Sequence, residues 1–83
     1  MFNDAEIIAI KVSTHKDLMR IINEIRRGNV IIASFSAFKS KRVRIDLIRR
    51  LLEAGKKMNF NVLGIGSKFM IIAPPNIKIR MRK

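Results

Sequence analysis

The sequence predicts an α/β domain in which two helices pack on one mixed sheet, in the order β-α-β-α-β-β-β. Three observations lead there. Two apolar runs of strand length, Ile7–Val12 and Val30–Ser34, bracket a segment whose apolar residues recur at helical spacing. A longer helical segment follows, from Lys41 to Met58. The rest of the chain breaks into three short strand-like runs separated by Gly66-Ser67 and Pro74-Pro75-Asn76, both turn-forming sequences.

Ile7–Val12 reads IIAIKV, a β-branched run, and is the first strand. Ser13 or Thr14 then supplies an N-cap, and Thr14 with Asp17 three residues on forms a capping box with a shortened acid. In the helix that follows, Leu18, Ile21, Ile22 and Ile25 share one face, while Lys16, Arg20, Glu24 and Arg27 lie on the other. Gly28 ends it, because glycine adopts the left-handed conformation that a helix C-terminus needs. Val30–Ser34 is too apolar for a half-exposed strand and is expected to be a central parallel strand covered on both faces. Strand, helix and strand together make a βαβ unit.

The second helix carries Leu47, Ile48, Leu51 and Leu52 on one face and stops at Asn59. Phe60–Ile65, Lys68–Ala73 and Ile77–Met81 are expected to be the last three strands. In the final one Ile77, Ile79 and Met81 alternate with Lys78, Arg80 and Arg82, so one face should be buried and the other wet.

A chain of 83 residues is one domain, residues 1–83, and 48% hydrophobic residues suffice for a core. With no cysteine, disulfides and thiolate chemistry are excluded. No apolar run approaches the roughly 20 residues that span a bilayer. The acidic start, Met1–Glu6, lacks the basic and apolar regions of a secretory signal, which makes the cytoplasm the expected compartment.

The means for catalysis are poor. His15 is the only histidine and sits at a helix start as a solvated residue, without companions at metal-ligand spacing. Asp17, Glu24, Asp46 and Glu53 lie on helices among basic neighbours and read as intrahelical charge partners. Gly64 and Gly66 form a GxG, but no helix follows, so the phosphate-cradling geometry is missing and a hairpin feature is expected. No catalytic residue, cofactor or metal is assigned, and the protein is read as a non-enzyme.

Charge is the dominant signal. Eighteen Lys and Arg against six Asp and Glu give +12, which calls for an anionic partner: nucleic acid, an acidic peptide or a lipid surface. Arg49, Arg50, Lys56 and Lys57 of the second helix, with Lys78, Arg80 and Arg82, form the candidate anion-binding patch. Gly55 is unusual in a helix interior, where it costs about 1 kcal/mol relative to Ala. It marks either a close approach of another backbone or a frayed helix end.

The segments HKDLMRIINEIRRGNVIIASFS, IDLIRRLLEAG and IGSKFMIIAPPNIKI, in that order and spacing, resemble the SepF family of cell-division proteins over nearly all of the chain. The resemblance implies a dimeric α/β sandwich with no enzymatic activity. It implies an adaptor that tethers the tubulin-like protein FtsZ to the membrane by holding its C-terminal tail, at the division site on the inner face of the membrane. By position Phe69 matches the aromatic of the strand at the tail-binding groove and Gly55 the glycine late in the second helix; the groove is accordingly expected at Leu63, Gly64 and Phe69, and the contact between copies at Gly55, Leu51 and Leu52. The chain departs from the family pattern in starting six residues before the first strand, without the usual membrane-binding helix. It also carries Gly64 where many relatives have a basic residue. A second reading, from size and charge, is a small nucleic-acid-binding protein of the Alba kind that contacts phosphates without reading sequence.

Overall fold

A computed structural model of the chain describes residues 4–82; Met1–Asn3 and Lys83, which the single-domain reading and the acidic start of the chain include, lie outside them. The elements are β1 (Ile7–Lys11), α1 (Lys16–Arg26), β2 (Val30–Ser34), α2 (Lys41–Met58), β3 (Asn61–Ile65) and β4 (Phe69–Ala73). The four strands form one mixed sheet in the order β1-β2-β4-β3, with β1 and β2 parallel and the other two pairings antiparallel.

Strand alternation decides what is inside. Ile10 of β1, Ile31 and Ala33 of β2, and Met70 and Ile72 of β4 point to the helical layer. There they meet Ile21 and Ile25 of α1 and Leu47 and Leu51 of α2 in one core, closed at its ends by Val12, Phe35 and Phe60. Both helices bury their apolar stripe against this single face of the sheet.

The start of α1 differs in detail from the expected capping box. The N-cap is His15, with no side-chain bond, one residue later than expected. Instead, the buried Asp17 carboxylate reaches back and accepts from the backbone N–H groups of Ser13 at 2.8 Å and Thr14 at 3.1 Å. The acid half of the box is thus formed and the hydroxyl half is not. Gly28 follows the helix with φ +91°, as its end requires. At α2, Ser40 caps the first turn by accepting from Val43 N–H, and Asn59 ends the helix with φ 61°.

Two expectations are corrected. Ile77–Met81 is not a strand, so among the described residues the sheet has four strands and not five. A tight turn after β4 would return this segment antiparallel to β4, but both edges of β4 are already taken by β2 and β3. Pairing on the open edge of β3 would require the chain to step past β3 within the turn Pro74-Pro75-Asn76, and among the described residues no backbone–backbone hydrogen bond joins the segment to β3. The segment is held instead by Ile77, whose N–H donates to Pro74 O and whose carbonyl accepts from Asn61 Nδ2 at 2.7 Å. The second correction concerns β2, which is central but covered on one face only. Its Ile32 is 38% exposed, because both helices lie on the opposite side.

Candidate functional site

Two apolar surfaces among the described residues bear on function. The first is a groove of about 230 Å³ between α2 and the β3–β4 hairpin. Its apolar wall is built by Ile48 and Leu52 of α2 together with Phe35 and Met70, and Gly64 and Lys68 of the hairpin complete it. Helical spacing puts Ile48 and Leu52 on the flank of α2 that faces the hairpin, while Leu47 and Leu51 turn into the core. Gly64 leaves the groove open. A Cβ built there meets no atom within 4 Å.

The second surface is the sheet face opposite the helices. The register aligns Ile32, Ile71 and Leu63 across three strands, and Ser34, Phe69 and Ile65 across the same three. Ile7, Ile32, Ile65 and Phe69 are all exposed on it. Single exposed apolar residues are ordinary, but a contiguous apolar sheet face is not.

The residues expected at one groove are therefore divided between two faces. Gly64 lines the groove. Leu63 and Phe69 alternate with it along their strands, so their side chains belong to the open sheet face, although Phe69 borders the groove as well. Gly55, Leu51 and Leu52 also separate. Leu51 is fully enclosed in this chain's core and only Leu52 presents its side chain outward. Gly55 is buried against its own chain, where an added Cβ would lie 3.3 Å from both the Phe60 ring and a Val62 methyl. The close approach that its type suggests is thus to the strand that follows it.

The cations of the anion-binding patch, Arg49, Arg50, Lys56, Lys57, Lys78, Arg80 and Arg82, are all exposed. Among the described residues the ion pairs are few and mostly within a helix: Asp17 with Arg20, Glu24 with Arg27, and Asp46 with Arg50 at 3.1 Å. His15 is also exposed, with Nε2 3.8 Å from the Asp46 carboxylate across the two helices. The Asp17 carboxyl is held below its ordinary pKa, chiefly by the Ser13 backbone N–H; burial opposes this, and Thr14 and Arg20 add to it. Among the described residues no three His, Cys, Asp or Glu side chains gather as a metal site requires, and no helix is long and apolar enough to cross a membrane.

The family model for the cell division protein SepF matches residues 7–79, which takes in every strand and both helices. The chain belongs to the SepF family. Members of this family are non-enzymatic division proteins. Solved structures agree in fold. A SepF-like protein from Archaeoglobus fulgidus superposes with a TM-score of 0.84 at 22% identity, over 95% of this chain and 96% of that one. A SepF-like protein from Pyrococcus furiosus gives 0.77 at 25% identity, over 96% and 99%. Cell division protein SepF from Methanobrevibacter smithii, solved in complex with FtsZ-CTD, gives 0.74 at 19% identity, over 93% and 99%. No curated protein matches the sequence.

In this SepF-family chain the sequence carries only part of the groove signal: Ile48 shares the helical periodicity of the core residues, and Phe35 lies just past a strand end where no pattern applies. Gly64 is a residue without a side chain in the middle of a strand, a pattern that also occurs where a ligand approaches closely.

Proposed function

We propose that the chain is an adaptor of the division apparatus, acting at the division site on the inner face of the membrane. It holds the C-terminal tail of an FtsZ-type protein in the groove between α2 and the β3–β4 hairpin. The observation that carries this is the preformed apolar groove in a SepF-family domain, together with the relative from Methanobrevibacter smithii that was solved with FtsZ-CTD. Ile48, Leu52, Phe35 and Met70 offer anchors for apolar side chains of the tail, and Lys68 lies at the rim, where charge steers an acidic segment.

The adaptor is a homodimer in this reading, with the open sheet faces packed on each other and Leu63 and Phe69 at that contact. A second copy is the occupant that fits, because the surface is apolar and built from the same residues on both partners, as a two-fold contact requires. Leu52 then serves the groove and not the dimer.

A substitution that fills the groove tests the assignment without disturbing the fold. Gly64→Leu projects into space where an added Cβ meets nothing within 4 Å. Calorimetric titration with a synthetic FtsZ C-terminal tail should show binding to the wild type, none to Gly64→Leu, and affinity reduced by about 1–2 kcal/mol in Leu52→Ala. Unchanged affinity in a folded Gly64→Leu variant places the tail elsewhere. Light scattering on Phe69→Ala with Ile32→Glu should report a monomer, and a dimer that survives both substitutions overturns the sheet-face contact.

A further inference from the structure

The groove and the sheet face leave most of the molecule's positive charge unused. From Lys39 to the C-terminus the chain holds 13 of its 18 Lys and Arg but only two of its six acids, so nearly all of the +12 net charge lies there. The fold gathers that half into α2, the β3–β4 hairpin and the C-terminal segment, leaving the β1 and α1 side almost neutral.

On α2 the charge is organised. Arg42, Arg49 and Lys56 recur every seven residues, so they run almost straight along the helix at intervals of about 10.5 Å. All three are exposed and point away from the Leu47–Leu51 core stripe. None of them has an ion-pair partner among the described residues, although Glu53 lies beside the row. Between the first two cations is an open hollow, bordered by Lys41, Ile45 and Asp46, whose carboxylate is already engaged by Arg50.

We propose that this outer ridge of α2 contacts the phosphodiester backbone of double-stranded nucleic acid, without reading bases. The helix presents unpaired cations where an interfacial membrane helix would present its apolar face. The exposed Ile45 and Leu52 lie to one flank of the ridge. Stacking on unpaired bases has no platform on the ridge itself: α2 contains no aromatic residue, and the exposed Phe69 lies across the groove on the hairpin. What remains is repeated phosphate contact, whose affinity comes from counterion release.

The test is fluorescence anisotropy of a short labelled DNA duplex of arbitrary sequence, titrated at several salt concentrations, with folding checked by circular dichroism. Four contacts, from the ridge and Lys41, predict that affinity falls by roughly 150-fold between about 50 and 200 mM salt. The variant Arg42→Gln, Arg49→Gln, Lys56→Gln should lower the salt slope by about three. A control with the same loss of charge on the near-neutral side, Lys11→Gln, Lys16→Gln, Arg26→Gln, should leave the slope unchanged. Equal loss in both variants assigns the binding to net charge and overturns the ridge. So does no duplex binding by the wild type at low salt, or ridge-dependent binding to phosphatidylserine vesicles that exceeds binding to the duplex.

Discussion

Gly55 offers a quantitative test of how α2 sits on the sheet. An Ala side chain there would have its Cβ 3.3 Å from Phe60 Cε2 and from Val62 Cγ2, and 3.4 Å from Phe60 Cδ2. The favourable separation of carbon atoms is about 3.5–4.0 Å, so each neighbour must yield by a few tenths of an ångström. Val62 is half-buried on the edge strand β3 and Phe60 lies in the connection that precedes it, so both can yield. The shift costs less than the about 1 kcal/mol that replacing a mid-helix glycine by alanine returns, and the two nearly cancel. Gly55→Ala should therefore leave stability within about 0.5 kcal/mol of wild type. Gly55→Leu has three more carbons to place and should cost about 2–3 kcal/mol through overpacking. Because the strain is directed at Val62, Val62→Ala should recover at least about 0.5 kcal/mol of that loss in a double-mutant cycle. Guanidinium unfolding followed by circular dichroism at 222 nm measures all four variants. If Gly55→Leu keeps the wild-type midpoint but dissociates a dimer in light scattering, the glycine serves a contact between copies and this reasoning fails.

Two other outcomes follow from the ends of the core. The folded-state pKa of Asp17 is lowered, chiefly by the Ser13 backbone N–H, so its contribution to stability is complete above the unfolded value of about 3.9 and is lost as pH falls through the lower folded value. Asp17→Asn should flatten the acid limb of a stability-versus-pH curve, and an acid limb identical to wild type contradicts this. In the C-terminal segment, no backbone acceptor within the described residues serves the N–H groups of residues 78–82, whereas β4 is paired on both edges. Hydrogen exchange should be fast at 78–82 and slow at Met70–Ile72, and comparable protection in the two segments shows a fifth strand after all.

The sequence by itself determined the elements and most of their ends. Periods of two and 3.6 residues in the placement of apolar side chains are local, and they located four strands and two helices. The stops were equally local, at Gly28 with φ +91° and Asn59 with φ 61°. The basic character was also explicit, as was the family resemblance, because both depend on residue identity and order alone.

The tertiary structure decided which of these residues share a surface. Ile77–Met81 has the alternation of a strand, yet it forms none, because a strand needs a free edge and β4 has neither side open. Leu63 and Gly64 are adjacent in sequence and face opposite sides of the sheet, which divides the expected groove residues between two surfaces. Leu51 and Leu52 divide in the same way, one sealed in the core and the other exposed, since one helical step turns a side chain by about 100°. The close approach at Gly55 could be expected from its type, but not that Phe60 and Val62 of the same chain make it. Periodicity records that a residue has a buried side; which partner covers that side depends on strand order, and strand order is fixed only when the whole chain packs.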